Sequence, residues 1–318
     1  MLNDLSFAAL AGQQKVKTVL GRSLGSGRMP HAYLFRGPDG VGKKLTALLT
    51  AARLNCLAPE GGNGCGLCSS CRRLRSGNHP DVVVMAPENG SIRIDRVREL
   101  CRSLSYPPYE SAIRVVIIED VHTMTTEAAN SLLKTLEEPP ENNLLILTAE
   151  ASRELLPTIV SRCQAVTFYG LPIDQCTRLI EHKLPGIGFD EARLLAQLSD
   201  GSPGIALALK EKELVARYRA VVSLLEAGVS TDQDSVTPVL ETAAELAALK
   251  EDLPLFLGLL KIWARDLMKA AAEANFDVQK QRLAALDRAH RQLERNCNRT
   301  LVSEVLLFNL QSPVAEVS

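Results

Sequence analysis

No apolar run in the 318-residue sequence approaches the roughly 20 residues that a membrane-spanning helix requires. The first residues, Met1-Leu2-Asn3-Asp4-Leu5, lack the basic start and long apolar stretch of a secretory leader, so a cytoplasmic location is expected. An excess of positive charge is missing as well. Lys and Arg number 36 against 37 Asp and Glu, a net charge of −1, which argues against a dedicated nucleic-acid binder. Only a local patch, or a surface shared among subunits, remains open. Internal repeats and low-complexity tracts are also absent. What is present is ordinary: 46% hydrophobic and 23% charged residues suit a soluble globular protein. The length exceeds what one core usually serves, so two or three domains are expected.

The first half alternates helix and strand. Residues 12–24 carry Val16, Val19 and Leu20 at helical spacing, and His31-Ala32-Tyr33-Leu34-Phe35 reads as a buried strand. A helix over about 43–56 follows a glycine-rich turn. Further strands are expected at Val82-Val83-Val84-Met85, Val115-Val116-Ile117-Ile118 and Leu144-Leu145-Ile146-Leu147, separated by helices near 95–105 and 126–137. Such alternation predicts a parallel sheet covered on both faces, an α/β fold to about Tyr169. Residues 173–210 read as short helices, with Ser202 as a cap and Pro203 at the first helical position. From 211 to about 310 leucine and alanine dominate and helices are expected, interrupted by a connection around 228–237. Residues 312–318 read as a frayed end. Arg288, Arg291, Arg295 and Arg299 recur at helical spacing, but Asp287 and Glu294 intervene, the pattern of a salt-bridged, solvated face.

Gly37-Pro38-Asp39-Gly40-Val41-Gly42-Lys43-Lys44 lies between strand and helix, where a P-loop belongs. Gly37, Gly40 and Gly42 let backbone N–H groups wrap a phosphate, and Lys43 reaches the outer phosphates. Lys44, however, occupies the place of the Ser or Thr hydroxyl that holds Mg²⁺. A second lysine cannot ligate a cation, and Thr46 sits too far round the helix to substitute. Two readings compete: ATP bound weakly or without productive Mg²⁺, or a relic loop that supports the fold. Glu119 and Asp120 end the third strand, where a pair of acids would hold Mg²⁺ and polarise water. Their order is Glu then Asp, the reverse of a working motor, which displaces both oxygens by about a bond length. The alternative is a pair of acids capping the next helix.

Cys56, Cys65, Cys68 and Cys71 lie within sixteen residues: Cys56 ends a helix, and the other three crowd a loop that holds the glycine-rich Gly61-Gly62-Asn63-Gly64. In a cytosolic chain four such thiolates suit a closed, structural Zn²⁺ site better than disulfides, with four reduced surface thiols as the alternative. Arg72, Arg73 and Arg75 follow and read as a solvated face.

Asn130-Ser131-Leu132-Leu133-Lys134-Thr135-Leu136-Glu137-Glu138-Pro139-Pro140 resembles a signature of bacterial clamp-loader ATPase subunits. His31-Ala32-Tyr33-Leu34-Phe35 before the P-loop, the inserted four-cysteine module and Ser161-Arg162-Cys163 are similar to that family in order and spacing, over about residues 10–170. The resemblance implies an AAA+ P-loop module over 1–170 with a zinc module at about 56–71. It also implies a small helical lid over 171–210 and an all-α collar, for oligomerisation, over 211–318. By the same resemblance Arg162 would be an arginine finger reaching a neighbour's nucleotide, and Thr148 would be the sensor at the end of the fourth strand. A motor subunit would carry a lid arginine, and Gly201-Ser202-Pro203-Gly204-Ile205-Ala206 has none. The departures point within the family to the delta-prime kind, a non-polymerase part of the DNA polymerase III holoenzyme, rather than the ATP-hydrolysing tau/gamma kind. Implied partners are the tau/gamma motor subunits, the delta subunit, and the sliding clamp and primer-template DNA through the complex. A zinc-stabilised DNA-binding protein acting alone is disfavoured by the charge and by the lack of an appended helix-turn-helix.

Overall fold

The computed structural model describes residues 4–151, 153–227, 236–270 and 276–311. By contact the chain forms two units, Met1–Ala196 with Gly201–Ile205, and Gln197–Asp200 with Ala206–Ser318. The first unit holds five strands: β1 Ala32–Arg36, β2 Val82–Met85, β3 Arg114–Ile118, β4 Asn143–Ala149 and β5 Gln164–Thr167. They pair in parallel in the order β2-β3-β4-β1-β5. The helices before and between them are α1 Gln14–Ser26, which precedes β1, then α2 Lys43–Asn55, α3 Ser69–Arg75, α4 Ile94–Leu104, α5 Thr126–Glu137 and α6 Pro157–Val160.

The near-continuous apolar strands divide by alternation. Leu34, Val116, Ile118, Leu145 and Leu147 face one core with Val97 and Leu100 of α4 and Ala128, Leu132 and Leu136 of α5. Tyr33, Phe35, Val115, Ile117, Leu144 and Ile146 face the other, with Val16 and Leu20 of α1, Ala47 and Ala51 of α2 and Leu74 of α3. A two-residue period thus fills both faces of one sheet, as the sequence predicts. Three local features differ from expectation. The first helix starts two residues late because Gln13 takes left-handed φ of 50°. β5 is a short edge strand with one buried residue, Val166, too weak a pattern to read. Cys71 sits on a helix rather than in a loop, since the Cys68 sulfur caps α3 by accepting from the Cys71 N–H.

Three helices follow: α7 Ile173–Lys183, α8 Phe189–Leu198 and α9 Pro203–Glu211. Ser202 caps α9, accepting from the Ile205 N–H at 3.4 Å. The second unit is built of α10 Leu214–Ala227, α11 Val236–Ala247, α12 Leu253–Ala270, α13 Phe276–Glu294 and α14 Arg299–Gln311, with no strand among its described residues. Its buried residues include Val239 and Ala243 of α11, Phe256 and Leu260 of α12, Leu286 and Ala289 of α13, and Leu306 and Leu310 of α14. Arg282 stacks 5.2 Å from the Trp263 ring and donates to Leu310 O, tying α12, α13 and α14. The arginine series expected on one helical face is split: Arg288 and Arg291 are on α13, Arg295 lies past its end, and Arg299 opens α14. Asp287 pairs with Lys261 instead. Of the expected connection around 228–237, residues 228–235 lie outside the described residues, as do 312–318, and Val236 already opens α11. No described helix is long and apolar enough to cross a membrane.

Candidate functional site

The carboxyl ends of β1, β3 and β4 converge, and the register sets Phe35 beside Thr148 and Ile118 beside Leu147. The P-loop leaves β1 here and enters α2 through Gly42, whose φ of 102° only glycine adopts readily. Gly37 packs so closely that a Cβ would meet Phe168 O at 2.6 Å.

The lysine of the loop is fully engaged. Lys43 is 7% exposed, and its Nζ donates to Gly37 O at 2.7 Å, Pro38 O at 2.7 Å and Asp39 Oδ1 at 3.0 Å. An incoming phosphate would have to displace three charge-assisted hydrogen bonds, each worth roughly 1.5–3 kcal/mol. Lys44 Nζ lies 2.7 Å from Glu119 Oε1, a contact of charges rather than a directed hydrogen bond, with Glu119 mostly buried. An ammonium therefore meets the first acid where a hydroxyl would share a divalent cation with it. Thr46 Oγ1 turns back to Gly42 O at 2.8 Å.

Asp120 takes left-handed φ of 50°, and its N–H donates to Thr148 Oγ1 at 3.1 Å. Thr148 is buried, so this bond links β4 to the acidic end of β3. Burial, and then the Asp39 carboxylate, push the Asp120 acid above its ordinary value. Neither acid caps a helix through its side chain; α5 is capped by Thr125. His122, unremarked in the sequence, packs nearby and is held below its ordinary pKa by burial.

The start of α9 closes over the loop. Ser202 Oγ donates to Asp39 O at 2.5 Å and the Gly204 N–H donates to Gly40 O at 3.0 Å. Ser202 is legible as a cap, but nothing local announces this second bond across 163 residues.

Arg162 lies in the turn between α6 and β5, away from these groups in sequence. Its Nη2 donates to Glu137 Oε1 at 2.5 Å and its Nη1 to Thr158 O at 2.9 Å. Glu137 carries no sequence signal of this role.

The sulfur atoms of Cys56, Cys65, Cys68 and Cys71 all lie within 4.8 Å of one another, and Cys56 and Cys68 are 4.0 Å apart. Tetrahedral metal–sulfur bonds of about 2.3 Å imply sulfurs about 3.8 Å apart, so the donor set fits one ion. The backbone N–H groups of Cys65, Cys68 and Cys71 point at the sulfurs of Cys56, Cys65 and Cys68. Burial raises the Cys71 thiol; at Cys68 burial also pushes the thiol up, but the Cys71 and Leu57 amides and the neighbouring Cys71 and Cys65 side chains together lower it to about 6. Donor amides around a sulfur favour the thiolate that binds metal.

A family model described as DNA polymerase III, delta subunit matches residues 12–172. The DNA polymerase III delta' subunit of Bacillus subtilis is 39% identical over 217 residues, covering 67% of this chain and 64% of that one. The tau subunit of Escherichia coli is 32% identical over 292 residues, covering 85% of this chain and 45% of that one. The chain thus spans less than two thirds of the length of these curated relatives. A gamma subunit-related protein from Thermotoga maritima shares the fold at a TM-score of 0.50 and 20% identity, covering 94% of this chain and 98% of that one. Half of the sequence, including its P-loop, cysteine module and acidic strand, matches one family: the chain belongs to the DNA polymerase III delta subunit family.

Proposed function

We propose that the chain is a delta-prime-type clamp-loader subunit that does not hydrolyse ATP itself and supplies Arg162 to the nucleotide site of an adjoining motor subunit. The contact that carries this reading is Lys44 against Glu119, a side-chain cation in the position where Mg²⁺ would be held. The engaged Lys43 and the lid seated on Asp39 and Gly40 support it further. The division 1–170, 171–210 and 211–318 belongs to the same proposal, as module, lid and collar. Exposed Leu301, Val305 and Phe308 recur every three or four residues along α14, with Val236 and Leu240 exposed on α11, which supports assembly through this helical unit. The four thiolates would hold structural Zn²⁺. Tau/gamma and delta subunits would be the partners, the sliding clamp and primed DNA would be met through the complex, and the location would be cytoplasmic.

The test is ATP turnover of the loader reconstituted with its motor subunits. Arg162→Ala should lower kcat about 10³-fold, the lower end of what an arginine acting in trans contributes. Unchanged turnover would sink the reading. The second reading, a tau/gamma-type motor, is favoured by the 32% identity to a tau subunit and by the intact Gly42-Lys43. Magnesium-dependent hydrolysis by the isolated chain would select it.

A further inference from the structure

Arg162 is tethered on two sides. Nη1 donates to Thr158 O at 2.9 Å and lies 3.3 Å from Ser161 Oγ, and Nη2 donates to Glu137 Oε1 at 2.5 Å. Its side chain is 32% exposed, so the group is fixed while part of it still faces solvent. Glu137, in turn, is the last residue of α5, a helix capped by Thr125 and anchored through buried Leu132 and Leu136. A guanidinium has five N–H donors, and these contacts leave two of them uncommitted.

We propose that Glu137 is the positioning residue of Arg162, holding the guanidinium in one geometry so that its remaining donors meet a nucleotide phosphate on the adjoining subunit. The inference rests on the reading of Arg162 as acting in trans. An isolated exposed ion pair contributes little, because ordering two long side chains offsets the attraction. Here the ordering is completed within one chain, with backbone and carboxylate anchors on separate elements, before the phosphate arrives. The gain therefore falls on the encounter with the transition state.

The experiment uses the complex of this chain with its motor subunits, purified as an assembly, and measures steady-state ATP hydrolysis. Glu137→Ala should lower kcat about five- to tenfold with KM for ATP unchanged, the factor expected for freeing one long side chain. Glu137→Gln keeps an oxygen that accepts from Nη2 and should stay within about twofold. In the Arg162→Ala background, Glu137→Ala should change nothing further. An equal melting temperature for each variant chain separates positioning from lost stability. Wild-type or higher kcat for Glu137→Ala, beside an impaired Arg162→Ala, overturns this proposal and leaves the trans role standing. So does a Glu137→Gln complex as slow as Glu137→Ala, or a Glu137→Ala loss that persists in full without Arg162. Unchanged kcat for Arg162→Ala overturns both.

Discussion

Replacing Gly204 by alanine pushes a methyl group into the P-loop. Its Cβ would lie 2.6 Å from Gly40 Cα, 3.0 Å from Gly40 O and 3.2 Å from Gly40 C, all backbone atoms that no rotamer change can move. The start of α9 must shift, and with it go the Gly204 N–H bond to Gly40 O and the Ser202 bond to Asp39 O. Two hydrogen bonds are worth about 1 kcal/mol each net, and overpacking adds about 1–3 kcal/mol. Alanine in place of helical glycine returns at most about 1 kcal/mol. The steric cost wins, and the net loss is about 2–4 kcal/mol. The single tryptophan, Trp263, belongs to the second unit, so its fluorescence reports on the wrong body. Native-state hydrogen exchange at the slowest amides of β1, β3 and β4 reads the first unit directly. Protection there should fall by roughly thirty- to several-hundredfold. The matched control is Gly21→Ala in α1, where a Cβ meets nothing within 4 Å and protection should hold or rise. If Gly204→Ala behaves like Gly21→Ala, the start of α9 does not rest on the P-loop.

Elemental analysis of the purified chain should find one zinc per molecule and Cys68→Ser should lose it, with chelation opening the 56–71 segment to protease; a metal-free chain with an equally resistant segment refutes this. Asp81 is fully buried and accepts the N–H groups of Tyr109, Glu110 and Ser111 at 2.6–2.9 Å, with Arg114 4.0 Å away. Asp81→Asn should cost about 3–5 kcal/mol at pH 7 by leaving donors and a guanidinium uncompensated. Burial pushes the Asp81 acid up, but the three amides outweigh it and hold the pKa below its ordinary value. Its contribution is therefore complete above the unfolded value of about 3.9 and is lost as pH falls through the lower folded value. The difference between wild type and Asp81→Asn, followed by urea unfolding, should shrink toward acid pH; a pH-independent difference refutes the assignment.

Much of the fold was legible because it is written locally. Val82–Met85 and Thr126–Glu137 match their expected bounds residue for residue, since an apolar run and a helical repeat specify backbone geometry without outside help. β5 was not legible, because an edge strand with one buried side chain lacks a pattern to read. Nor was α3, whose cap is a cysteine sulfur that the spacing had marked only as a metal ligand.

The candidate site divides along the same line. Glycine and lysine spacing marks a phosphate-type turn, four closely spaced cysteines mark a sulfur cluster, and the missing hydroxyl at position 44 is plain in the sequence. Only the tertiary structure decided what those groups touch: Lys44 on Glu119, Lys43 on its own loop, Ser202 on Asp39, and Arg162 on Glu137. The reason is physical. Neighbours in sequence share a backbone conformation, which residue types dictate, whereas the partner of a charged side chain is chosen by which distant elements the packed core brings within about 3 Å.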